Sequence, residues 1–338
     1  MIPFLDMKSI YAELKPELDA ADARVMESGW YVLGLEALEL VLRAWDLGPG
    51  DEVIVPSNTY IATWLAVTAV GATVVPVEPT PAGPNIDPER IAAAITPRTR
   101  AIMPVHLYGE PADMDAIMAL ADRRGIKVIE DVAQAQGSKV RGRRAGAIGH
   151  AGAHSFFPTK NIGAYGDGGA VTTDDPKLAE RLRTLRNYGS RVKYVNLERG
   201  YNSRLDELQA AFLRVKLPKL DAWNERRRTI AARYTDKLAG IPGLDLPRAP
   251  QWAEPVWHLY VVRTKRRADL AGALDKAGIG SLIHYPIPPH LQEAYADLKQ
   301  GKGSYPLAEE LAETVLSLPM GPQMELDTLD EVAATVRA

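Results

Sequence analysis

Cysteine is absent from the 338 residues, which removes disulfides, zinc–thiolate sites and a nucleophilic thiol from consideration. A reducing compartment fits that absence but does not follow from it. Neither sign of charge dominates. The 40 Lys and Arg stand against 43 Asp and Glu, a formal net charge of −3, so nothing global attracts the chain to nucleic acid or to an anionic membrane. Six His are scattered without metal-ligand spacing, and the carboxylates form no calcium loop; no metal is expected. Long apolar runs are missing too. The longest, Ala62 to Val77, is interrupted by Thr63, Thr68, Gly71 and Thr73. It is too short to span a bilayer comfortably and divides better into a helix and a strand. Met1 to Lys8 has no basic stretch leading into an apolar one, so it does not read as a secretory signal and a cytoplasmic location is expected.

A chain of this length has room for two cores. From Asp51 to about Asp174, short runs rich in Val and Ile alternate with helical patterns, and Glu52–Pro56, Ala72–Val77, Arg100–Val105 and Ile126–Asp131 read as strands. Segments apolar at nearly every position suit strands buried on both faces. That predicts an α/β protein whose mainly parallel sheet is covered by helices on both faces. Asp87-Pro88-Glu89 and Asp175-Pro176 each set a capping carboxylate before a proline at the first helical position. Asp206–Leu217, continuing to Leu238, reads as long charged helices with a break at Pro218, placed to bridge two domains. Pro242, Pro247, Pro250 and Pro255 then mark a connection. The expected division is a large domain over 1–240 and a small C-terminal α+β domain over 241–338. The small domain has strands at Trp257–Thr264 and Ser281–His284 and helices at Ala268–Ala277 and Pro306–Leu316.

The chemistry gathers around Lys160, in Ser155-Phe156-Phe157-Pro158-Thr159-Lys160-Asn161-Ile162-Gly163 with Gly166-Asp167-Gly168-Gly169 following, and around Asp131, which ends a predicted strand in Glu130-Asp131-Val132-Ala133-Gln134. Ligands of open α/β sheets bind beyond the carboxyl ends of strands. A lysine that can form a Schiff base, with an acid that keeps a pyridine nitrogen protonated, is the pair that pyridoxal 5'-phosphate (PLP) chemistry needs. Gln134 is spaced to donate to a cofactor hydroxyl, and the Ser155 hydroxyl to bind phosphate. Each residue also has a plainer explanation: Asp at a strand end caps turns, most lysines are solvated, Gln134 could face water and Ser155 could shape a turn. The aromatic and glycine neighbours set Lys160 apart, because backbone approaches a ligand closely there and the amine can lose its water.

Motifs in order along the chain widen this reading: Pro56-Ser57-Asn58-Thr59-Tyr60, Pro104-Val105-His106-Leu107-Tyr108-Gly109, Glu130–Ala135, Ser155–Lys160 and Asn202-Ser203-Arg204-Leu205-Asp206-Glu207-Leu208-Gln209-Ala210-Ala211. Together they resemble the PLP-dependent nucleotide-sugar aminotransferases of the DegT family over nearly the whole chain. The resemblance implies the fold type I transferase architecture, Lys160 as Schiff-base lysine and proton carrier, Asp131 on the pyridine nitrogen, Gln134 near the cofactor hydroxyl, Ser155 on its phosphate and Tyr60 stacked on the ring. It implies that Asn202 reaches the phosphate of the neighbouring subunit, hence a homodimer with shared active sites, and it makes Arg204 a candidate for an anionic substrate. Asn187–Asn196 and Ile283-His284-Tyr285-Pro286 resemble more narrowly the enzymes that aminate C3 of a dTDP-linked 3-keto-6-deoxyhexose, with L-glutamate as donor. Tyr194 and His284 would then line the sugar site, although a loop tyrosine and a packed strand histidine explain them equally. Rival readings are amination at C4, a PLP-dependent sugar dehydratase, whose relatives carry histidine in place of the lysine, and a non-catalytic regulator or scaffold that keeps the fold.

One departure from the family pattern stands out. Between Gly29-Trp30-Tyr31-Val32-Leu33-Gly34 and the helix leading to Gly48-Pro49-Gly50-Asp51, the family carries a further helix, a strand and a small-residue loop that binds the PLP phosphate. Here Gly34 runs straight into Leu35-Glu36-Ala37-Leu38. Either the protein does without that segment, which weakens its hold on phosphate, or residues between Gly34 and Leu35 are missing from the sequence, which is the expectation. An intact mass of 36.9 kDa decides for the former.

Overall fold

The computed structural model describes residues 35–337. In chain order these form α1 (Glu36–Ala44), β1 (Glu52–Pro56), α2 (Ile61–Ala69), β2 (Thr73–Val77), α3 (Pro88–Ala94), β3 (Thr99–Ile102), α4 (Met114–Arg124) and β4 (Lys127–Asp131). Two short strands, β5 (Lys139–Val140) and β6 (Arg143–Arg144), precede β7 (Ala151–Ser155), β8 (Gly169–Thr172) and α5 (Pro176–Leu185). The hairpin β9 (Ser190–Val192) and β10 (Val195–Asn196) leads to α6 (Glu207–Lys216) and α7 (Leu220–Leu238). The C-terminal part contains β11 (Ala253–Glu254), β12 (Tyr260–Arg263), α8 (Arg267–Lys276), α9 (Pro306–Thr314), β13 (Val315–Leu318) and α10 (Leu326–Arg337).

The main sheet runs β2-β1-β3-β4-β7-β8. Its pairings are parallel except for β7 with β8. Side chains alternate across each strand, so Val53 and Val55 of β1 enter one core while Ile54 enters another. The first core packs the sheet against α1, α2 and α5, through Leu38, Val41, Trp64, Leu178 and Leu182. The second packs the opposite face against α3 and α4, through Ile91, Met114 and Ile117. Two covered faces explain why these strands read as unbroken apolar runs. Both predicted caps form: Asp87 accepts from the Glu89 amide at 2.9 Å and Asp175 from the Lys177 amide at 2.8 Å.

Helix α7 belongs to a third core. Ile230, Tyr234 and Leu238 pack with Tyr260, Leu316, Leu329 and Val332, so the second half of this helix shares its interior with the C-terminal elements. The break falls at Pro218 as expected: a 3-10 turn, Leu217–Lys219, separates α6 from α7, with the proline in a first turn, where its missing N–H is tolerated. Ser281–His284 is no strand: Leu282 makes a single bridge to Ser317, and the prolines at 286 and 288 cannot donate to a continuing ladder. Helix α9 stops at Thr314, where Val315 turns extended (φ −71°, ψ 141°) and begins β13, which pairs antiparallel with β12. No described helix is long and apolar enough to cross a membrane.

Candidate active site

Strand order reverses about β1, with β2 on one side and β3 on the other, and such a switch point opens a crevice beyond the carboxyl ends. Side chains converge there from several elements. Asp131 closes β4 and is only 5% exposed. Its Oδ2 accepts from Thr63 Oγ1 of α2 at 3.1 Å, and its Oδ1 from the Ala133 amide at 3.1 Å. Burial pushes the Asp131 pKa above the usual carboxylate value, against the pull of the Ala133 amide, Lys160, Thr63 and His106. Lys160 follows β7 in a turn where its amide donates to the Phe157 carbonyl at 2.9 Å. Burial lowers its pKa, with Asp131 opposing the shift. The turn needs glycine at 163, where a Cβ would lie 2.2 Å from the Pro158 carbonyl oxygen.

Beneath Asp131, Glu130 is fully buried and accepts from the amides of Gly146, Ile148 and Gly149 at 2.9, 2.8 and 2.6 Å. His106 Nδ1 accepts from the Ala112 amide at 3.0 Å, so Nε2 holds the proton and donates to Glu130 Oε2 at 3.0 Å. Burial favours a protonated Glu130, yet these donors outweigh it and hold its pKa below the usual value. The strand end carrying Asp131 is thereby clamped from behind.

Gln134 Oε1 accepts from the Tyr108 amide at 2.7 Å, and its Nε2 donates to Tyr285 Oη at 2.8 Å. Tyr60 is 54% exposed and lies over Tyr285, ring centroids 5.2 Å apart at a 36° tilt. The Tyr108 hydroxyl donates to the His284 carbonyl, and His284 Nδ1 is 2.8 Å from Ser317 Oγ. Burial and the charge of Lys160 lower the His284 pKa. Ser155 ends β7 opposite Gly169, its Oγ accepting from the Phe157 amide at 3.3 Å. Asn202, Arg204 and Tyr194 belong to a separate cluster. Asn202 bridges to Asn187, Arg204 donates to Asn187 Oδ1 at 2.9 Å and covers the Tyr188 ring, and Tyr194 is 88% exposed. Thr63, Tyr285 and the His106–Glu130 pair escaped sequence reasoning, although all but Thr63 sit inside quoted motifs. Thr63 registers in the sequence only as an interruption of an apolar run.

PLP suits this donor set. A buried carboxylate and a partly buried amine within electrostatic reach of each other, beside an amide and a half-exposed aromatic ring, match a pyridine nitrogen, an aldehyde, a phenolic oxygen and a ring face. Near Ser155, α1 begins without a side-chain cap; Gly169, paired to Ser155, faces Ala37 of that helix. Uncapped amides there suit phosphate, while Glu36 and Asp167 oppose it. Burial and Glu36 push the Asp167 pKa up to about 6. The expected departure falls between Gly34, outside the described residues, and Leu35. Among the described residues, no group of three or more His, Asp or Glu is arranged to hold a metal.

The sheet with its crevice is that of a PLP-dependent transferase of fold type I. Residues 33–337 match the DegT/DnrJ/EryC1/StrS aminotransferase family, and the chain belongs to it. It is 54% identical to the dTDP-3-amino-3,4,6-trideoxy-alpha-D-glucose transaminase of Streptomyces venezuelae, over 99% of this chain and 95% of that one. It is 53% identical to the erythromycin biosynthesis sensory transduction protein EryC1 of Saccharopolyspora erythraea, over 100% and 99%. The crystal structure of S. venezuelae DesV in complex with a ketimine intermediate superposes with a TM-score of 0.88 at 54% identity, covering 99% of this chain and 97% of that one. The alignment with the S. venezuelae transaminase spans 361 positions, more than the 338 residues here. That relative therefore carries residues with no counterpart in this sequence.

Proposed function

We propose that the protein moves an amino group from L-glutamate to C3 of a dTDP-linked 3-keto-deoxyhexose, as a homodimer with shared active sites. The observation that carries the transaminase chemistry is a partly buried Lys160 within electrostatic reach of the buried Asp131. The sugar and the carbon follow from the name of the S. venezuelae relative and its identity over nearly both chains. A purely regulatory role gives no reason for this pair.

The bound cofactor supplies an electron sink for the carbanion left when a proton is removed next to nitrogen. Asp131 would hold the pyridine nitrogen and favour its protonated form, and Thr63 and the Ala133 amide fix the two carboxylate oxygens. Lys160 Nζ would hold the cofactor and, once freed, would serve as the base that takes a proton from the carbon next to nitrogen and gives it back. A base must be neutral to do this, and burial favours the neutral amine. Gln134 would hold the phenolic side of the cofactor, Ser155 its phosphate, and Tyr60 would cover its ring. His284 reaches the same crevice from the C-terminal part and lines the sugar side.

The division into a large domain over 1–240 and a small one over 241–338 belongs to this proposal, with α7 serving both. So does the dimer. Val192, Val195, Leu197, Leu208, Val215 and Leu217 are exposed apolar residues on the β9–β10 hairpin and around α6, a concentration that marks an interaction face. Tyr194, Asn202 and Arg204 lie in the same stretch, which is how a partner's site would receive them. Single-turnover reaction of the aminated cofactor form with 3-keto and 4-keto dTDP-sugars tests the assignment: return of the yellow lysine-bound absorbance with the 3-keto sugar supports C3, and return only with the 4-keto sugar refutes it.

A further inference from the structure

Directly after Lys160, the Asn161 side chain enters a buried polar chain. Its Nδ2 donates to Asn224 Oδ1 of α7 at 2.8 Å and to the Val256 carbonyl at 3.0 Å. Asn224 Nδ2 in turn donates to the Gln136 carbonyl at 2.9 Å. Both protons of the Asn161 amide are used, so its Oδ1 is an acceptor, and His258 Nδ1, 3.1 Å away, must be the donor. That fixes the imidazole as the Nδ1–H tautomer, with the lone pair on Nε2. Asn161, Asn224 and His258 are 3%, 1% and 7% exposed, and a buried amide left without partners is costly, so the chain holds one arrangement.

The same segment is pressed onto the loop after β3. The Val256 amide donates to the Gly109 carbonyl at 2.9 Å, and the Leu259 amide to the Tyr108 carbonyl at 3.2 Å. A Cβ at Gly109, whose φ is +94°, would lie 2.6 Å from the His258 nitrogen. Burial above all, and then the charges of Lys160, Arg227 and His284, disfavour protonation of His258. Residues 256–258 thus touch the Lys160 loop, the Tyr108 loop that meets Gln134, and α7.

We propose that Asn161 and His258 are positioning residues for Lys160: the His258 Nδ1–H to Asn161 contact, locked by Asn224, sets where the Lys160 amine stands relative to Asp131. The inference rests on Lys160 being the cofactor lysine. It predicts that His258→Leu and Asn161→Ala lower kcat about 100-fold, the scale of a misplacement near 1 Å, leave the sugar KM unchanged, and shift the pH midpoint of the lysine-bound cofactor absorbance. His258→Asn keeps an amide donor at the Nδ1 position and retains wild-type behaviour, whereas His258→Gln, which carries its amide at the Nε2 position, does not. Amide exchange of residues 156–164 in the full chain follows the same order without reference to the cofactor. Folded His258→Leu with wild-type kcat, midpoint and exchange overturns the proposal, as do Asn and Gln variants that behave alike. If His258→Leu does not fold, the Asn and Gln pair decides. A wild-type protein that lacks the yellow band, or keeps it in Lys160→Ala, refutes the cofactor assignment instead, a separate outcome.

Discussion

At the residue scale, Asp131 and Lys160 divide the work by environment. Asp131 is buried and Lys160 partly so; each is shifted toward its neutral form by lost solvation, and each pulls the other back toward charge. Asp131→Asn removes the anion that holds the Lys160 pKa up, so the free amine should deprotonate at lower pH. The acid limb of kcat is expected to move toward lower pH, while its plateau falls at least ~100-fold because the pyridine nitrogen loses its counter-ion; a pH–rate profile checks both. Thr63→Val leaves Asp131 Oδ2 without its hydroxyl donor and should cost about 1 kcal/mol or more of stability, measured by denaturant unfolding. Lys160 and Asp131, with the roles proposed here, stand out in the sequence because that chemistry is specific and their order along the chain is fixed; Thr63 and Tyr285 belong to the same crevice. Neither of these two stands out, because their roles arise only when α2 and residues from the C-terminal part meet over the crevice.

At the element scale, burial on both faces wrote β1, β2, β3 and β4 into the sequence as apolar runs, and Asp-Pro pairs wrote the starts of α3 and α5. The β13 strand was hidden: Val315–Leu318 follows α9 without a turn residue, so its apolar run reads as one more helical turn until it pairs with β12. The hairpin before α6 was legible only as a motif, since its contacts within the described chain are few and its apolar side chains face outward. Asp175→Ala deletes the carboxylate that receives the Lys177 and Leu178 amides. It should lower stability by about 1 kcal/mol with kcat unchanged, because α5 packs on the sheet face and not at the crevice; thermal melts and steady-state rates together test this.

At the scale of the whole molecule, stability should depend on pH through imidazoles kept neutral. Burial holds His154 down to about 4 and His258 well below its ordinary value. An unfolded chain takes up these protons first as pH falls below about 6.5, so it binds more protons than the fold in the window from 6.5 to about 4. The fold therefore loses stability as pH falls through that window, by at most about 1.4 kcal/mol per pH unit for each imidazole, and denaturation curves at successive pH values should show it. Association is the second global property: Val215→Glu, on the apolar face of α6, should shift the protein toward monomer in sedimentation and reduce turnover in proportion, if sites are shared. At the phosphate end of the cofactor site, the resemblance implies a loop between Gly34 and Leu35 that this sequence does not contain. The most direct test of the central claim is borohydride reduction of the PLP-loaded protein followed by peptide mass mapping. The account predicts one pyridoxyl group, on Lys160; a group on another lysine, or none while Lys160 stays unmodified, contradicts it.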